Sequence, residues 1–491
     1  MFFARAVIVA AFSPPAILPP ASAPRIARRS HPQCTGTSTS SDTQTDLDES
    51  FSEAWAWLVA CGGERGGVAV GETDGLRGVV ASTSLPPNNA DALRVPVALG
   101  LSDSTLEFAE TPMGLAVPAP EWLLLPVDAR LALRLLYERE QGAASPWSHY
   151  IGMLPQHVHV GRHLSEESLA ALQSEEVAVQ ARESAQVTAV MYERVRSLAD
   201  KYDAPGICPF DEETWGWALD MIHSRSYTID AGARGLCRFL VPFIDLLNHD
   251  PDGCEFVYDE VDEAFTVETS GHPPRQGEPV VITYGERTSE ELLLVYGFVP
   301  PAPTPFDAHG LRGAYRAVDV VEGDASVGGG GDFADEKRAL LSSLRYDAPR
   351  CFEVGAARCD PAVVSALRLA CLEEAEFRDP DCCGMNWNRP LAHAPVSAAN
   401  EARVAAALGA RLRAHQAEEP TSLEDDLKLR SSLRAGGSAA GGTDEVGMAN
   451  ALQLRINRKA VVASFLDLLD AFEGGNLLDH FDDFMPSIRV L

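Results

Sequence analysis

The sequence predicts an α+β chain: a β-rich domain split by a helical insert, followed by an all-α C-terminal domain. Three observations carry that prediction. Short alternating apolar runs, punctuated by Gly, Pro and Asn, fill 66–98 and 238–284. Between them the apolar residues recur at helical spacing, and Glu166 to Asp200 contains neither Gly nor Pro. Beyond Pro300 the signals are helix starts and long amphipathic runs, interrupted by glycine-rich inserts.

The chain has 491 residues, room for about three domains. Apolar residues make up 46% and charged residues 23%, so a packed core is affordable in composition and a wholly disordered or collagenous chain is excluded. Lys and Arg number 40 against 71 Asp and Glu, a net charge of −31. Such an acidic body repels phosphate backbones and suits a basic protein partner better than nucleic acid. No apolar run is long enough for a transmembrane helix. Ten scattered cysteines with no CxxC spacing fit neither a disulfide scaffold nor a structural zinc site, so no metal is expected.

Residues 1–41 contain no Asp or Glu but carry Arg5, Arg25, Arg28 and Arg29 among many Ser, Thr, Ala and Pro. Ala6 to Phe12 is a short apolar run, and Ala21-Ser22-Ala23 has the look of a cleavage site. This layout resembles bipartite plastid presequences. Residues 1–48 are therefore read as a targeting or disordered segment directing the protein to a plastid, with mitochondrion, cytosol or nucleus as alternatives.

From Ser52 to Cys61 an amphipathic helix is expected, then strands near 66–70, 75–81 and 93–98. Ala129 to Glu140 places Leu131, Leu135 and Leu136 on one helical face. Asp211 precedes Glu212 and Glu213, an N-cap before an acidic first turn, and Trp215, Trp217, Ala218, Met221 and Ile222 follow. Strands return at 238–241, 254–258, 264–268 and 279–284. Thr421-Ser422-Leu423-Glu424 reads as a capping box, and Leu452 to Phe472 as a long amphipathic helix. The expected domains are 49–300, with the helical insert at about 105–220, and 301–491, with flexible inserts near 320–334 and 432–446.

The chemistry concentrates in a few segments. Phe243-Ile244-Asp245-Leu246-Leu247 reads as an apolar strand that ends in the turn-forming cluster Asn248-His249-Asp250-Pro251-Asp252-Gly253. Val280 to Gly285 is a second strand ending in a turn, followed by Glu290-Glu291-Leu292-Leu293-Leu294-Val295-Tyr296-Gly297-Phe298. Upstream, His223-Ser224-Arg225-Ser226-Tyr227 closes a helix. Together these segments resemble the SET-domain methyltransferases of the plant Rubisco large-subunit lysine methyltransferase group. Leu131 to Pro155 is similar to the start of that group's helical insert, Trp217 to Tyr227 to its WA…SR segment, Phe243 to His249 to its DLLNH core and Tyr284 to Phe298 to its YG…ELL..YGF end. Val396 to Phe472, with Thr421 to Asp426 inside it, is similar to its C-terminal substrate-binding domain. The match runs with gaps from about residue 52 to 475.

The resemblance implies a pseudoknotted SET fold and methyl transfer from S-adenosyl-L-methionine to a protein amine, by in-line displacement at the methyl carbon. The amine must be neutral, and deprotonating a free Lys at neutral pH costs roughly 4 kcal/mol, so the site must be dry and electropositive near the amine. By resemblance Tyr284 is the catalytic tyrosine. A phenol pKa near ~10 suits it to orienting the amine better than to serving as its base. Gly75, Leu76, Arg77, Arg225, Asn248, His249 and Tyr296 would hold the cofactor, Arg225 through a carboxylate. Ser224, Asp245, Ile282, Tyr284 and Tyr296 would face the substrate, with Ile282 and Tyr284 on one face of a shared strand. Where the group has Ser-Asn ahead of the Glu-Leu-Leu helix, this chain has Ser289-Glu290, a change expected to loosen a turn contact. The implied partner is a protein presenting a lysine: Rubisco large subunit, a plastid aldolase, a ribosomal protein or a histone. A histidine acceptor and a catalytically silent binding protein are the alternatives.

Overall fold

A computed structural model describes residues 41–73, 75–87, 91–103, 116–202, 209–230, 236–269, 271–310, 332–343, 353–355, 358–379, 394–435 and 443–484. The acid-free leader through residue 40, the glycine runs within 328–331 and 436–442, and Cys382-Cys383 lie outside them. The first helix, Ser41–Ala60, begins inside the segment read as leader. Its inner face buries Phe51, Ala54, Trp55 and Leu58, and Trp55 stacks on Phe243 with ring centroids 3.7 Å apart.

Among the described residues ten strands build the first domain: β1 (Glu64–Arg65), β2 (Val68–Thr73), β3 (Leu76–Ala81), β4 (Asp91–Pro96), β5 (Leu101–Ser102), β6 (Ser226–Asp230), β7 (Leu236–Leu240), β8 (Asn248–Asp259), β9 (Ala264–Glu268) and β10 (Pro279–Ile282). Seven form one sheet in the order β1-β4-β9-β8-β10-β3-β2, and β5-β7-β6 form a second. The pairs are antiparallel except β8 with β10. That parallel pair brings Val281 opposite Asn248 and Ile282 opposite Cys254, with a register shift between them. Gly253 makes the approach possible, since a Cβ there would lie 2.7 Å from the Ile282 Cα. This is the SET fold expected from the sequence. The insert between β5 and β6 is helical, including Val127–Glu140, Glu175–Lys201 and Glu212–Arg225. Asp211 caps the last of these, accepting from the Thr214 N–H at 2.9 Å.

Several local expectations are corrected. Phe243 to Leu247 is not a strand: Phe243 takes φ +66°, a 3₁₀ turn spans Ile244–Leu246, and β8 starts at Asn248. The run is apolar because Phe243, Ile244 and Leu247 are all buried, not because it alternates across a sheet. Tyr284 lies beyond β10, so it and Ile282 share no strand face; Ile282 is wholly buried in the core. The Gly- and Pro-free stretch from Glu166 to Asp200 is helical as expected, in two helices, Glu166–Ala171 and Glu175–Lys201, with Gln173 at φ +53° between them.

The C-terminal domain is predominantly helical, with a small three-stranded sheet at Ala308–Gly310, Glu353–Gly355 and Arg358–Cys359. Its own core gathers Val364, Leu367, Val404, Leu408, Leu412, Phe465 and Phe481. Inside it the Arg368 guanidinium forks onto Glu401 at 2.6 and 2.7 Å, both side chains fully buried. The capping box sits one residue later than expected: Ser422 Oγ accepts from the Asp425 N–H at 3.1 Å, and Asp425 accepts from the Ser422 N–H at 3.1 Å. Thr421 is instead engaged by Lys459 and Asp426. A third apolar cluster joins the two domains, packing Leu169, Leu172 and Val177 of the insert and Leu293 and Val299 against Ala451 and Leu454. Ala451 and Leu454 belong to the helix Thr443–Asp470, the longest in the C-terminal domain.

Candidate active site

The start of β8, with the turn before it, meets the turn after β10. Tyr284 donates its backbone N–H to His249 Nδ1 at 3.1 Å and its hydroxyl to the Leu247 carbonyl at 2.8 Å. The two rings stack at 5.0 Å. Because Nδ1 accepts, the imidazole is neutral with its proton on Nε2, and burial holds its pKa below the usual histidine value. Asn248 reaches the other way, donating from Nδ2 to the Arg77 carbonyl at 3.1 Å. Gly78 leaves the space for it, since a Cβ there would sit 2.5 Å from Asn248 Nδ2. The Asn-His corner therefore ties β3 to the turn that carries Tyr284.

Aromatic rings surround that turn. Tyr296 packs on Tyr284 at 4.7 Å, and Phe298 lies 6.4 Å from His249. Tyr227, on β6, packs on Phe256 at 4.5 Å and donates to the Ile244 carbonyl at 3.3 Å. Burial raises the pKa of Tyr227, Tyr284 and Tyr296 alike, so all three stay protonated at neutral pH. Tyr296 ends the π-helical turn Leu292–Tyr296, and Gly297 follows with φ +81°. Such an extra-residue turn is costlier than regular helix and is concentrated at functional positions.

The charged part of the site comes from Asp245 and Arg225. Arg225 is the last residue of the helix Glu212–Arg225, which is anchored from behind by the Arg162 fork on Asp220 at 2.7 Å. Its guanidinium donates to the Asp245 carbonyl at 2.9 Å and lies 3.7 Å from the carboxylate. The other neighbour is Tyr150, whose hydroxyl donates to Asp245 Oδ2 at 2.9 Å. Burial pushes the Asp245 carboxyl up to about 6, against the opposing pull of Arg225 and Tyr150. Asp245 Oδ1 and Arg225 Nε are both buried and have no hydrogen-bond partner within the protein. Buried groups in that condition are costly, and two of them beside one aromatic cluster mark a place for a polar ligand.

Of the residues predicted from sequence, Tyr284, Tyr296, His249, Asn248, Asp245, Arg225 and Arg77 converge. Gly75 takes φ +78° in the turn between β2 and β3, and Leu76 beside it is exposed. Arg77 lays its guanidinium 5.3 Å from the Phe51 ring, leaving its carbonyl to Asn248. Ser224 donates its hydroxyl to the Asp220 carbonyl at 2.6 Å within its own helix. Ile282 supports the site from the core. The sequence reading missed Tyr150, Tyr227 and Phe256. Tyr227 had a usable signal, since it lies two residues past Arg225 where the helix gives way to a strand. Tyr150 had none, because it meets Asp245 from 95 positions away. Among the described residues no cluster of His, Cys, Asp and Glu could hold a metal ion, and Cys61, Cys237, Cys254, Cys359 and Cys371 form no disulfide.

Residues 331–462 match the family model described as Rubisco LSMT substrate-binding. The chain also superposes on a crystal structure of the SET domain of LSMT bound to lysine and AdoHcy, with TM-score 0.57 and 21% identity over 90% of this chain and 93% of that one. The chain has the SET fold, and its residues 331–462 carry a Rubisco LSMT substrate-binding domain. A structure of Rubisco LSMT bound to AdoMet agrees, with TM-score 0.54 and 22% identity over 86% and 91% of the two chains. Curated relatives span both domains of the chain. The Pisum sativum chloroplastic Rubisco large-subunit N-methyltransferase is 26% identical over 79% of this chain and 77% of its own. The Arabidopsis thaliana chloroplastic fructose-bisphosphate aldolase-lysine N-methyltransferase is 24% identical over 89% of each. The Danio rerio actin-histidine N-methyltransferase is 26% identical over 51% of this chain and 41% of its own. Glu290, where this chain departs from the group's Ser-Asn, pairs with Arg458 of the C-terminal domain at 3.0 Å.

Proposed function

We propose that this chain is an S-adenosylmethionine-dependent protein-lysine N-methyltransferase. The observation that carries the reading is the buried pair of unpartnered polar atoms, Asp245 Oδ1 and Arg225 Nε, set beside Tyr227, Tyr284 and Tyr296. The residues fit the donor. Arg225 offers a guanidinium to a carboxylate. The corner at Asn248 and His249 and the turn at Gly75, Leu76 and Arg77 supply backbone and an exposed apolar side chain to an adenosine. When bound, S-adenosylmethionine supplies an electrophilic methyl group on a sulfonium centre.

The protein's own residues do the rest by placement. Tyr284 keeps its proton, and its hydroxyl is already committed as a donor to Leu247, so its lone pairs are aimed to accept from an amine N–H. Asp245 Oδ1, buried without a partner, is free to accept a hydrogen bond from a bound ligand. The tyrosine rings match the long apolar stem of lysine and exclude water, which favours the neutral amine. Fixed orientation is the main contribution such a site makes.

Lysine as acceptor is favoured by the two relatives that span 79% and 89% of the chain, both named as N-methyltransferases of plastid proteins, one explicitly for lysine. A histidine acceptor is the second reading, supported by the actin-histidine relative over half of the chain. The protein partner engages the substrate-binding domain, with Rubisco large subunit and aldolase as the first substrates to try. A plastid location belongs to the same reading, supported by the chloroplastic relatives and by the acid-free residues 1–41. Calorimetric titration with S-adenosylmethionine tests the core of it. Saturable heat that Arg225→Ala abolishes is expected; no heat from the wild-type chain would leave a silent binding protein.

A further inference from the structure

The C-terminal domain reaches the active site through one helix face. Asn450, Gln453 and Asn457 stand at i, i+3 and i+7 on Thr443–Asp470 and so point the same way. Asn450 Nδ2 donates to the Gly297 carbonyl at 3.0 Å, and Gln453 Nε2 to the Pro301 carbonyl at 3.1 Å. Asn457 Nδ2 donates twice, to Ser289 Oγ at 3.1 Å and to the Pro300 carbonyl at 3.0 Å. Ser289 and Pro300 bracket the segment that contains the π-helical turn and Tyr296. A single side-chain amide therefore joins both ends of that segment.

The joint is rigid by chemistry. Asn457 is 1% exposed, its two amide hydrogens are both used, and its Oδ1 accepts from Gln453 Nε2 at 2.8 Å. Ser289 passes the contact on, donating from Oγ to Asp307 at 2.6 Å. Moving either end would orphan a buried group, which costs more than the bond itself yields. On the opposite side the insert grips the same turn. A Cβ on Gly297 would lie 2.7 Å from the His159 carbonyl carbon, and one on Gly161 would lie 2.5 Å from the Leu294 side chain.

We propose that Asn457 is a positioning residue: from the C-terminal domain it locks the π-helical turn so that Tyr296 stands against Tyr284. The substrate-binding domain thereby completes the site as well as receiving the protein partner. This inference rests on the functional reading above in one respect, that Tyr296 contacts the cofactor.

The test uses the full chain, Asn457→Ala and Tyr296→Ala singly and together, and Asn450→Ala as a milder second lesion. Hydrogen exchange reads the lock with no ligand present. Asn457→Ala raises amide exchange across 289–300 by about tenfold while 248–259 keeps its protection, and Asn450→Ala does the same more weakly. Titration with S-adenosylmethionine alone reads the consequence. Asn457→Ala weakens binding about fivefold, and the double variant binds no more weakly than Tyr296→Ala, because both lesions act through one ring. Unchanged exchange in 289–300 overturns the proposal, and so do binding losses that simply add. If Asn457→Ala does not fold, Asn450→Ala decides by the same two readouts. If the wild-type chain binds no S-adenosylmethionine, the methyltransferase reading falls, and hydrogen exchange alone decides whether the lock exists.

Discussion

The Tyr284 N–H donates to His249 Nδ1, and that single bond ties the turn after β10 to the start of β8, 35 positions earlier in the chain. With the Tyr284 hydroxyl on the Leu247 carbonyl, it holds the phenol at both ends. The ring is thus fixed before any ligand arrives, which is what a site working by orientation needs.

Tyr284→Phe removes the hydroxyl and leaves the ring stacked on His249 and Tyr296. Methyl transfer is expected to fall by about a hundredfold or more, with S-adenosylmethionine affinity within about threefold of wild type. Steady-state rates beside calorimetry check this. Unchanged turnover would remove Tyr284 from the catalytic role.

Asp245 predicts a pH effect on stability. Its folded pKa of about 6 lies above the ordinary 3.8, so the folded state favours the protonated carboxyl. The stability it contributes is fully present below about pH 4 and is lost as pH rises through about 6. A shift of about two units sets an upper bound of about 3 kcal/mol. Denaturant midpoints from about pH 3.5 to about 7, a range that spans both pKa values, should fall further for wild type than for Asp245→Asn. Parallel curves for the two proteins would contradict the burial of this carboxyl.

Gly78→Ala should displace Asn248, because the new Cβ would meet its amide at 2.5 Å. The Asn248 bond to the Arg77 carbonyl is lost with it. We expect S-adenosylmethionine affinity to drop about tenfold and stability by about 1 kcal/mol. Wild-type affinity in this variant would show that the Asn-His corner plays no part in holding the cofactor.

In the C-terminal core, Glu401→Ala strands the fully buried Arg368 guanidinium. The expected loss is about 3–5 kcal/mol. Pairing it with Arg368→Met should recover much of that loss, since the orphaned charge then disappears. Thermal melts of the single and double variants provide the comparison.

Local sequence signals located most of the strands and helices, and the Asp211 cap, because those depend on spacing and caps within a few residues. They misplaced Phe243 to Leu247, where burial from all sides mimics a strand run and only the backbone angle at Phe243 betrays the turn. They placed Tyr284 and Ile282 on one strand because nothing local announces where β10 ends. Within the site, Tyr284, Asn248, His249, Asp245 and Arg225 sit in the recognisable segments. Tyr150 and Asn457 also lie in segments that resemble the group, but nothing local gives either a role, since each meets the site only through the tertiary fold.

The most direct measurement is mass spectrometry of acceptor proteins after incubation with the full chain and methyl-labelled S-adenosylmethionine, using Rubisco large subunit, aldolase and a soluble plastid extract. Labelled methyl on a lysine Nε, absent with Tyr284→Phe, is the expected result. Label confined to histidine, or no label on any protein while the donor binds, would contradict it.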